Sequence, residues 1–302
     1  MVKRVQVIVN PAAGSGYVYL RALLDVFSQA GVEWDTSMTR WPGHAAEIAQ
    51  EARQAGVDVV AAYGGDGTLR EVAGALVGSD IPLAILPGGT GNVFATELGI
   101  PRNIRLAARL IVGPHTLRTV DVGMAGNEPF LVATATGIIA NTMREADREM
   151  KERLGYAAYL IVGLREMIDP RPAAYRLTMN GASVGGEGVA CMVSNTSNFG
   201  ISGISALPGT DISDGILDVV LFPATDIQTV LALAATAAGL EDLAAPLPRW
   251  RTQQVTLYAD PPQPITCDGD IVGQTPVEVR VLHRALKVIA PPRPGSDGSG
   301  KG

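Results

Sequence analysis

The chain has little cysteine: Cys191 and Cys267 are the only two among 302 residues. Two cysteines cannot build a disulfide framework, and neither has a second Cys or a His at metal-ligand spacing. Both read as buried thiols of a reducing compartment. Positive charge is also short. The 24 Lys and Arg against 30 Asp and Glu leave a net charge of −6, which excludes a dedicated nucleic-acid binder, whose affinity rests on many cations at phosphates. Long hydrophobic runs are missing as well. The least polar stretches, Pro129 to Met143 and Gln228 to Leu240, fall short of the roughly 18 apolar residues that span a bilayer. The amino terminus passes from Lys3 and Arg4 directly into the short apolar run VQVIV, without the apolar core or cleavage site of an export signal. A cytoplasmic protein is expected, with any membrane contact peripheral.

Glycine is abundant, at 35 residues, and 47% of the chain is apolar against 18% charged. These values describe a globular protein, and the length predicts two domains. From Val5 to Leu86 short apolar runs alternate with helical stretches, as in βαβ units. Strands are predicted over Val5 to Val9, Val32 to Ser37, Val57 to Ala62 and Ile81 to Leu86. Leu20, Leu23, Leu24 and Phe27, then Ala45, Ile48, Ala49 and Ala52, recur at helical spacing between them. The expected fold is an α/β domain with a mainly parallel sheet over residues 1–121, rejoined by residues 283–292.

After about Asp121 short β-rich segments take over: Phe130 to Thr136, Tyr175 to Met179, Val189 to Ser194, Leu217 to Phe222 and Val255 to Ala259. Helical segments are predicted over Ile139 to Ile168 and Ile227 to Leu243. A second, antiparallel, sandwich-like domain over residues 122–282 fits this pattern. The Pro/Gly/Ser-rich residues 293–302 read as a disordered tail.

Three of the early strands run into glycine-rich turns: NPAAGSG, YGGDGT and PGGTGN. In an open α/β sheet ligands bind at the carboxyl ends of strands, so the three loops should line one crevice. In Gly64-Gly65-Asp66-Gly67-Thr68 the turn and the helix behind it offer free N–H groups to phosphate. Asp66 repels phosphate unless it meets a cation or takes a proton, which suggests Mg²⁺ or general-base chemistry. The plainer reading is a tight turn in which Asp or Thr caps the helix. Gly88-Gly89-Thr90-Gly91-Asn92 repeats the design one strand later, and Asn10 and Gly14 belong to the third loop. Neither a Walker A string nor a GxGxxG string occurs in these loops.

The chain resembles the diacylglycerol kinase catalytic-domain family, the bacterial lipid kinases related to sphingosine kinases. The stretches that carry the resemblance are VNPAAGSG, TRWPGHA, GGDGTLREVAGAL, LPGGTGNVFATELGIP, SNFGISGISALPGTDISDGILDV and ITCDGDIVGQTPVEVRVL, in family order between Val9 and Leu282. The resemblance implies an α/β domain like that of NAD kinase and phosphofructokinase, with a β-rich second domain. It implies ATP as phosphoryl donor, a lipid hydroxyl as acceptor, and Mg²⁺. Nucleotide contact is implied for Asn10, Thr39, Gly64, Gly65, Asp66, Gly67, Thr68 and Thr90, with Arg70 standing where many relatives carry Asn. In TDISDGILDV it implies a metal loop with Asp214 as side-chain ligand and Asp211 and Ile216 contributing from their backbones. Such a string alone is more often an Asp-Gly turn.

Relatives carry Asp-Gly-Glu near the carboxyl terminus, where the Glu accepts the hydroxyl proton. Here the string is Asp268-Gly269-Asp270. Asp270, together with Asp66, is the candidate base, and Asp268 reads as the turn residue. His44 receives no chemical role. An apolar slot for the lipid is expected among Phe130 to Thr136, Ile139 to Met143 and Phe199 to Leu207, which a plain core would also contain. Arg144, Arg148, Lys151 and Arg153 could face anionic headgroups, although the interleaved Glu145, Asp147, Glu149 and Glu152 favour a solvated face. A homodimer is compatible with this reading. The rivals are an NAD kinase, which shares the GGDG loop, and a weakly catalytic ATP- or lipid-binding regulator, which the shorter Asp270 keeps open.

Overall fold

The computed structural model describes residues 2–13, 18–145, 171–198, 207–223 and 247–292. Gly14, the predicted helix beyond Glu145 with Arg148, Lys151 and Arg153, the helix over 227–243, residues 199–206 of the expected slot and the tail 293–302 lie outside the described residues. Two compact units form. The first holds Met1–Val120 and the chain from Ala285 onward, and the second holds Asp121–Arg284.

In the first unit β1 (Arg4–Val9), β2 (Glu33–Met38), β3 (Val59–Gly64) and β4 (Leu83–Pro87) are parallel. The end of β15 (Val277–Ala290) joins as a fifth parallel strand through Val288 opposite Leu83. The order is β2-β1-β3-β4-β15. All six residues of β3 are buried, as a central strand covered on both faces requires. Burying Val59 and Val60 contributes roughly 1.5–3 kcal/mol each. The helices are α1 (Val18–Ala30), α2 (His44–Gln54), α3 (Asp66–Leu76), α4 (Val93–Glu97) and α5 (Ile104–Val112). The small apolar face of α2, with Ala45, Ile48, Ala49 and Ala52 buried, packs on α3. The Asn103 side chain caps α5 by accepting from the amides of Arg105 and Leu106 at 3.0 and 3.2 Å.

The second unit is antiparallel. It comprises the latter part of β5 (Thr116–Ala125), β6 (Glu128–Phe130), β7 (Ala133–Gly137), α6 (Ile138–Glu145), β8 (Ala173–Met179), β9 (Ala182–Ser194) and β10 (Leu217–Pro223). There follow β11 (Arg249–Thr252), β12 (Gln254–Asp260), β13 (Pro264–Cys267), β14 (Asp270–Gln274) and the start of β15. The long β9 serves two neighbourhoods. Its first half pairs with β8, and its second half lies between β7 and β10. β8 and β12 alternate buried and exposed residues, and their inward side chains join Phe130, Cys191, Val193, Leu217 and Val219 in one core. Cys191 is fully buried, and burial pushes its thiol up to about 12, so it is an inert core group. Among the described residues no helix is long and apolar enough to cross a membrane.

Two expectations need correction. The strand predicted over Phe130 to Thr136 is two strands, because the amides of Leu131, Val132 and Ala133 go to the Asp268 carboxylate instead of a ladder. The helix behind the GGDGT turn opens at Asp66 and not near Leu69, so Asp66 belongs to its first turn.

Candidate active site

The residues of the first unit implied in nucleotide contact share one rim. Asn10 follows β1, Thr39 follows β2, Gly64 ends β3, Gly65 to Thr68 open α3, and Thr90 follows β4. Parallel strands place all their carboxyl ends on the same edge. Asn10 hydrogen-bonds across to the second loop, its Nδ2 donating to Thr68 Oγ1 at 3.0 Å while its Oδ1 accepts from the Ala12 amide. The Thr39 amide donates to the Val9 carbonyl at 2.8 Å. Thr68 is buried, Thr90 is exposed, and Arg70 is half-buried on α3.

The two glycine loops touch backbone to backbone. The amides of Gly88 and Gly89 both donate to the Gly64 carbonyl, at 2.9 and 3.2 Å. A Cβ on Gly89 would lie 2.5 Å from the Cα of Gly65, a distance that real side chains do not adopt. Glycine is therefore needed here for loop-on-loop packing, a use that the phosphate reading did not include. The consequence is one fixed surface in which Gly65, the residue preceding α3, has no side chain over the helix's first N–H groups.

Asp66 ties the same two loops together. Its carboxylate accepts from the amides of Val93 and Phe94, both at 3.2 Å, and so caps α4. Asn92, at φ 51°, cannot do this, because its own side chain turns back to bond both the amide and the carbonyl of Gly89. Glu71 does the equivalent for α2, accepting from the amides of Gly43 and Ala45 at 2.9 and 3.1 Å. Gly43 offers no side chain there. The rim is thus held by two carboxylates on one helix, each spent on the opening of a neighbouring helix.

Burial pushes the Asp66 carboxyl above its ordinary value of 3.8, more than the surrounding amides lower it. A raised folded-state value means that this group favours the fold fully below pH 3.8, and that the contribution is lost as pH rises through the folded value. Asp66→Asn, which cannot ionise, should therefore gain stability relative to wild type as pH climbs from about 4 to 8. Urea midpoints across that range check it, and a constant difference would mean that the carboxyl does not shift.

In the second unit Asp268 and Gly269, at φ 48° and 97°, form a two-residue hairpin turn between β13 and β14. This is the mirror-image turn for which Asp-Gly is suited. Asp270 opens β14 opposite Cys267 and is exposed. Asp268 faces the other way, accepting from the amides of Leu131, Val132 and Ala133 at 2.8, 2.8 and 3.1 Å. The turn therefore separates the two carboxylates, with Asp268 structural and Asp270 presented outward.

The two acidic side chains of the expected metal loop are already engaged from within the protein. Asp211 Oδ1 accepts from the amide and hydroxyl of Ser213, at 2.9 and 2.6 Å. Asp214 accepts from the Ile216 amide at 2.9 Å and ion-pairs with Arg251. Among the described residues no group of three or more His, Cys, Asp or Glu is arranged to hold a metal ion. Because a guanidinium stands at the Asp214 oxygen that would meet a cation, the donor set does not fit Mg²⁺.

Several residues of this region were missed in the sequence. Asp121 is fully buried and accepts from the amides of Gly215 and Arg284, both at 2.6 Å, and from Nδ1 of His283 at 3.0 Å. Asp218 is equally buried, between Arg249 and Thr210. Both stand inside apolar runs, TVDVGM and ILDVVLF. A carboxylate in a buried strand must be paired, and that was the available signal. The apolar segments expected to form a lipid slot behave as core where they are described. Ala135 and Leu207 join Met192, Val220 and Phe222, with Ile138 and Ile139 packed against them.

Comparison with known proteins agrees with this architecture. Residues 4–125 match the family described as "Diacylglycerol kinase catalytic domain". Residues 132–290 match the "YegS C-terminal NAD kinase beta sandwich-like domain". A relative named "Diacylglycerol kinase" from Bacillus subtilis is 32% identical over 66% of this chain and 67% of its own length. A Pseudomonas aeruginosa protein named "Probable lipid kinase YegS-like" is 36% identical over 60% of each chain. The crystal structure of a diacylglycerol kinase from Bacillus anthracis superposes with a TM-score of 0.80 at 27% identity, covering 96% of this chain and 98% of that one. The paired glycine loops, the antiparallel second unit and these matches lead to one conclusion: the chain belongs to the diacylglycerol kinase family of lipid kinases.

Proposed function

We propose that this kinase transfers the γ-phosphoryl group of ATP to a hydroxyl of diacylglycerol or a similar lipid alcohol. The observation that carries the reading is the glycine-on-glycine junction of the GGDGT and GGTGN loops at the ends of adjacent parallel strands. With no side chain on Gly65, the amides opening α3 remain accessible to phosphate oxygens. Asn10, Thr39, Thr68 and Thr90 add neutral donors, and Arg70 a cation, around the same rim. Neutral donors suit a protein of net charge −6, which cannot attract a triphosphate through its overall field. Mg²⁺ enters as part of the nucleotide substrate.

Phosphoryl transfer demands positioning and charge neutralisation more than covalent work. Asp66 fixes the second glycine loop through α4, and so supports the phosphate-facing surface from behind. Asp270 accepts the proton of the attacking hydroxyl. Its exposure and its place after a rigid two-residue turn suit it to meet a substrate group. The lipid arrives from a membrane surface that the protein touches peripherally.

Transfer of labelled phosphate from Mg-ATP to a panel of lipid alcohols in mixed micelles tests the proposal, with NAD in a parallel tube. Labelled lipid is expected. Labelled NADP, or no labelled product, would overturn it. Asp270→Ala should lower turnover by about a hundredfold, the low end for loss of a general base. Near-normal turnover would remove Asp270 from the mechanism.

A further inference from the structure

The segment from Leu207 to Asp218 carries three carboxylates, and two arginines from one strand face it. In the β10–β11 ladder Arg251 lies opposite Asp218 and Arg249 opposite Val220. Two residues apart on a strand, the arginines project from the same face. Arg249 donates through Nε to Asp218 at 2.8 Å, through Nη1 to the Pro208 carbonyl at 2.9 Å and through Nη2 to Thr210 Oγ1 at 3.1 Å. Thr210 in turn donates to the other oxygen of Asp218 at 2.7 Å. Arg251 bridges two acids, pairing with Asp214 and approaching Asp218 at 3.6 Å through Nε.

Charge and geometry agree. Asp218 is fully buried, and a buried carboxylate requires a close positive partner. Two guanidinium groups neutralise Asp214 and Asp218, while Asp211 is occupied by Ser213. Mg²⁺ would require near-octahedral oxygen ligands at about 2.0–2.1 Å, and to reach Asp214 it would first have to displace Arg251. A planar guanidinium can instead span two carboxylates at once with fixed donors.

We infer that Arg251 holds the Asp211–Leu217 loop in the way a divalent cation would, so that the loop is organised without metal. Arg251 is a positioning residue. It fixes Asp214, the Asp214 turn fixes Gly215, and the Gly215 amide lies against Asp121. Gly215, at φ 76°, has no room for a side chain, since a Cβ would come within 2.8 Å of His283 Nδ1. The inference does not depend on the acceptor lipid or on transfer activity.

The test uses the nucleotide-free full chain, with Mn²⁺ as the probe. Spin-resonance titration of wild type and Asp214→Asn should find no Mn²⁺ whose binding depends on Asp214, and the melting temperature should be the same in EDTA and in millimolar Mg²⁺. Arg251→Gln should lower the melting temperature by about 2–4 °C. Mn²⁺ binding that survives Asp214→Asn lies elsewhere and leaves the inference standing. One Mn²⁺ per wild-type chain that is lost in Asp214→Asn would overturn it, as would Arg251→Gln melting with wild type. If Asp214→Asn does not fold, a wild-type melting temperature raised by Mg²⁺ overturns the inference, and an unchanged one supports it.

Discussion

Asp268→Ala should destabilise the second unit by about 4 kcal/mol. The carboxylate accepts from three consecutive amides, those of Leu131, Val132 and Ala133, and Leu131 and Val132 are buried. Removing the acceptor leaves these donors without a partner, at roughly 1–3 kcal/mol each, with water recovering part of the loss. Alanine must also adopt the left-handed backbone at φ 48°, which adds about 1 kcal/mol. Asp268→Asn tolerates that conformation and keeps one oxygen, so it should lose about half as much. Urea unfolding of the three proteins measures the series. A loss below about 1 kcal/mol for the alanine variant would show that the loop between β6 and β7 does not depend on this carboxylate.

Gly89→Ala should disable the nucleotide rim. The added methyl would lie 2.5 Å from the Gly65 Cα and 3.2 Å from its nitrogen, and both are backbone atoms that cannot rotate aside. Relief requires the loops after β3 and β4 to separate, which breaks the two amide bonds to the Gly64 carbonyl. Overpacking of this kind costs about 1–3 kcal/mol of stability. A displacement of about 1 Å at the phosphate-binding backbone should lower transfer by about a hundredfold. Gly186→Ala is the control, because a Cβ there meets nothing within 4 Å, and both stability and transfer should match wild type. If Gly89→Ala retained wild-type turnover, the close junction of the loops would not matter to transfer.

The arrangement of carboxylates bears on how this family member differs from its motif. The resemblance implies Glu where Asp270 stands, and Asp is one methylene shorter. The hairpin turn that sets Asp270 is rigid, with both central residues at positive φ and Asp268 anchored to three amides. The backbone therefore fixes where the shorter acid projects. Asp66, with two of its acceptor positions given to α4, is directed by that helix and not by solvent.

Much of the fold was legible because its signals are local. Apolar runs ending in glycine, with helical spacing between them, marked β1 to β4 and their helices to within a few residues. Short β-rich composition between turn residues marked β8 and β12, whose burial repeats every second residue. The glycine loops were legible for the same reason, as strings placed at strand ends. What each acidic side chain does was not legible. Asp66, Glu71, Asp214 and Asp268 are ordinary turn or helix residues in the sequence, and Asp121, in an apolar run, shows only that it must be paired; each binds backbone or a side chain distant along the chain, as when Asp268 reaches Leu131. Sequence by itself determined which strands form and where the backbone can come close, since spacing and glycine act over neighbouring residues. Only the tertiary structure decided that Gly65 meets Gly89 and that Arg251 stands at Asp214. A hydrogen bond or an ion pair depends on separation in space, and that is set by the packing of the whole unit.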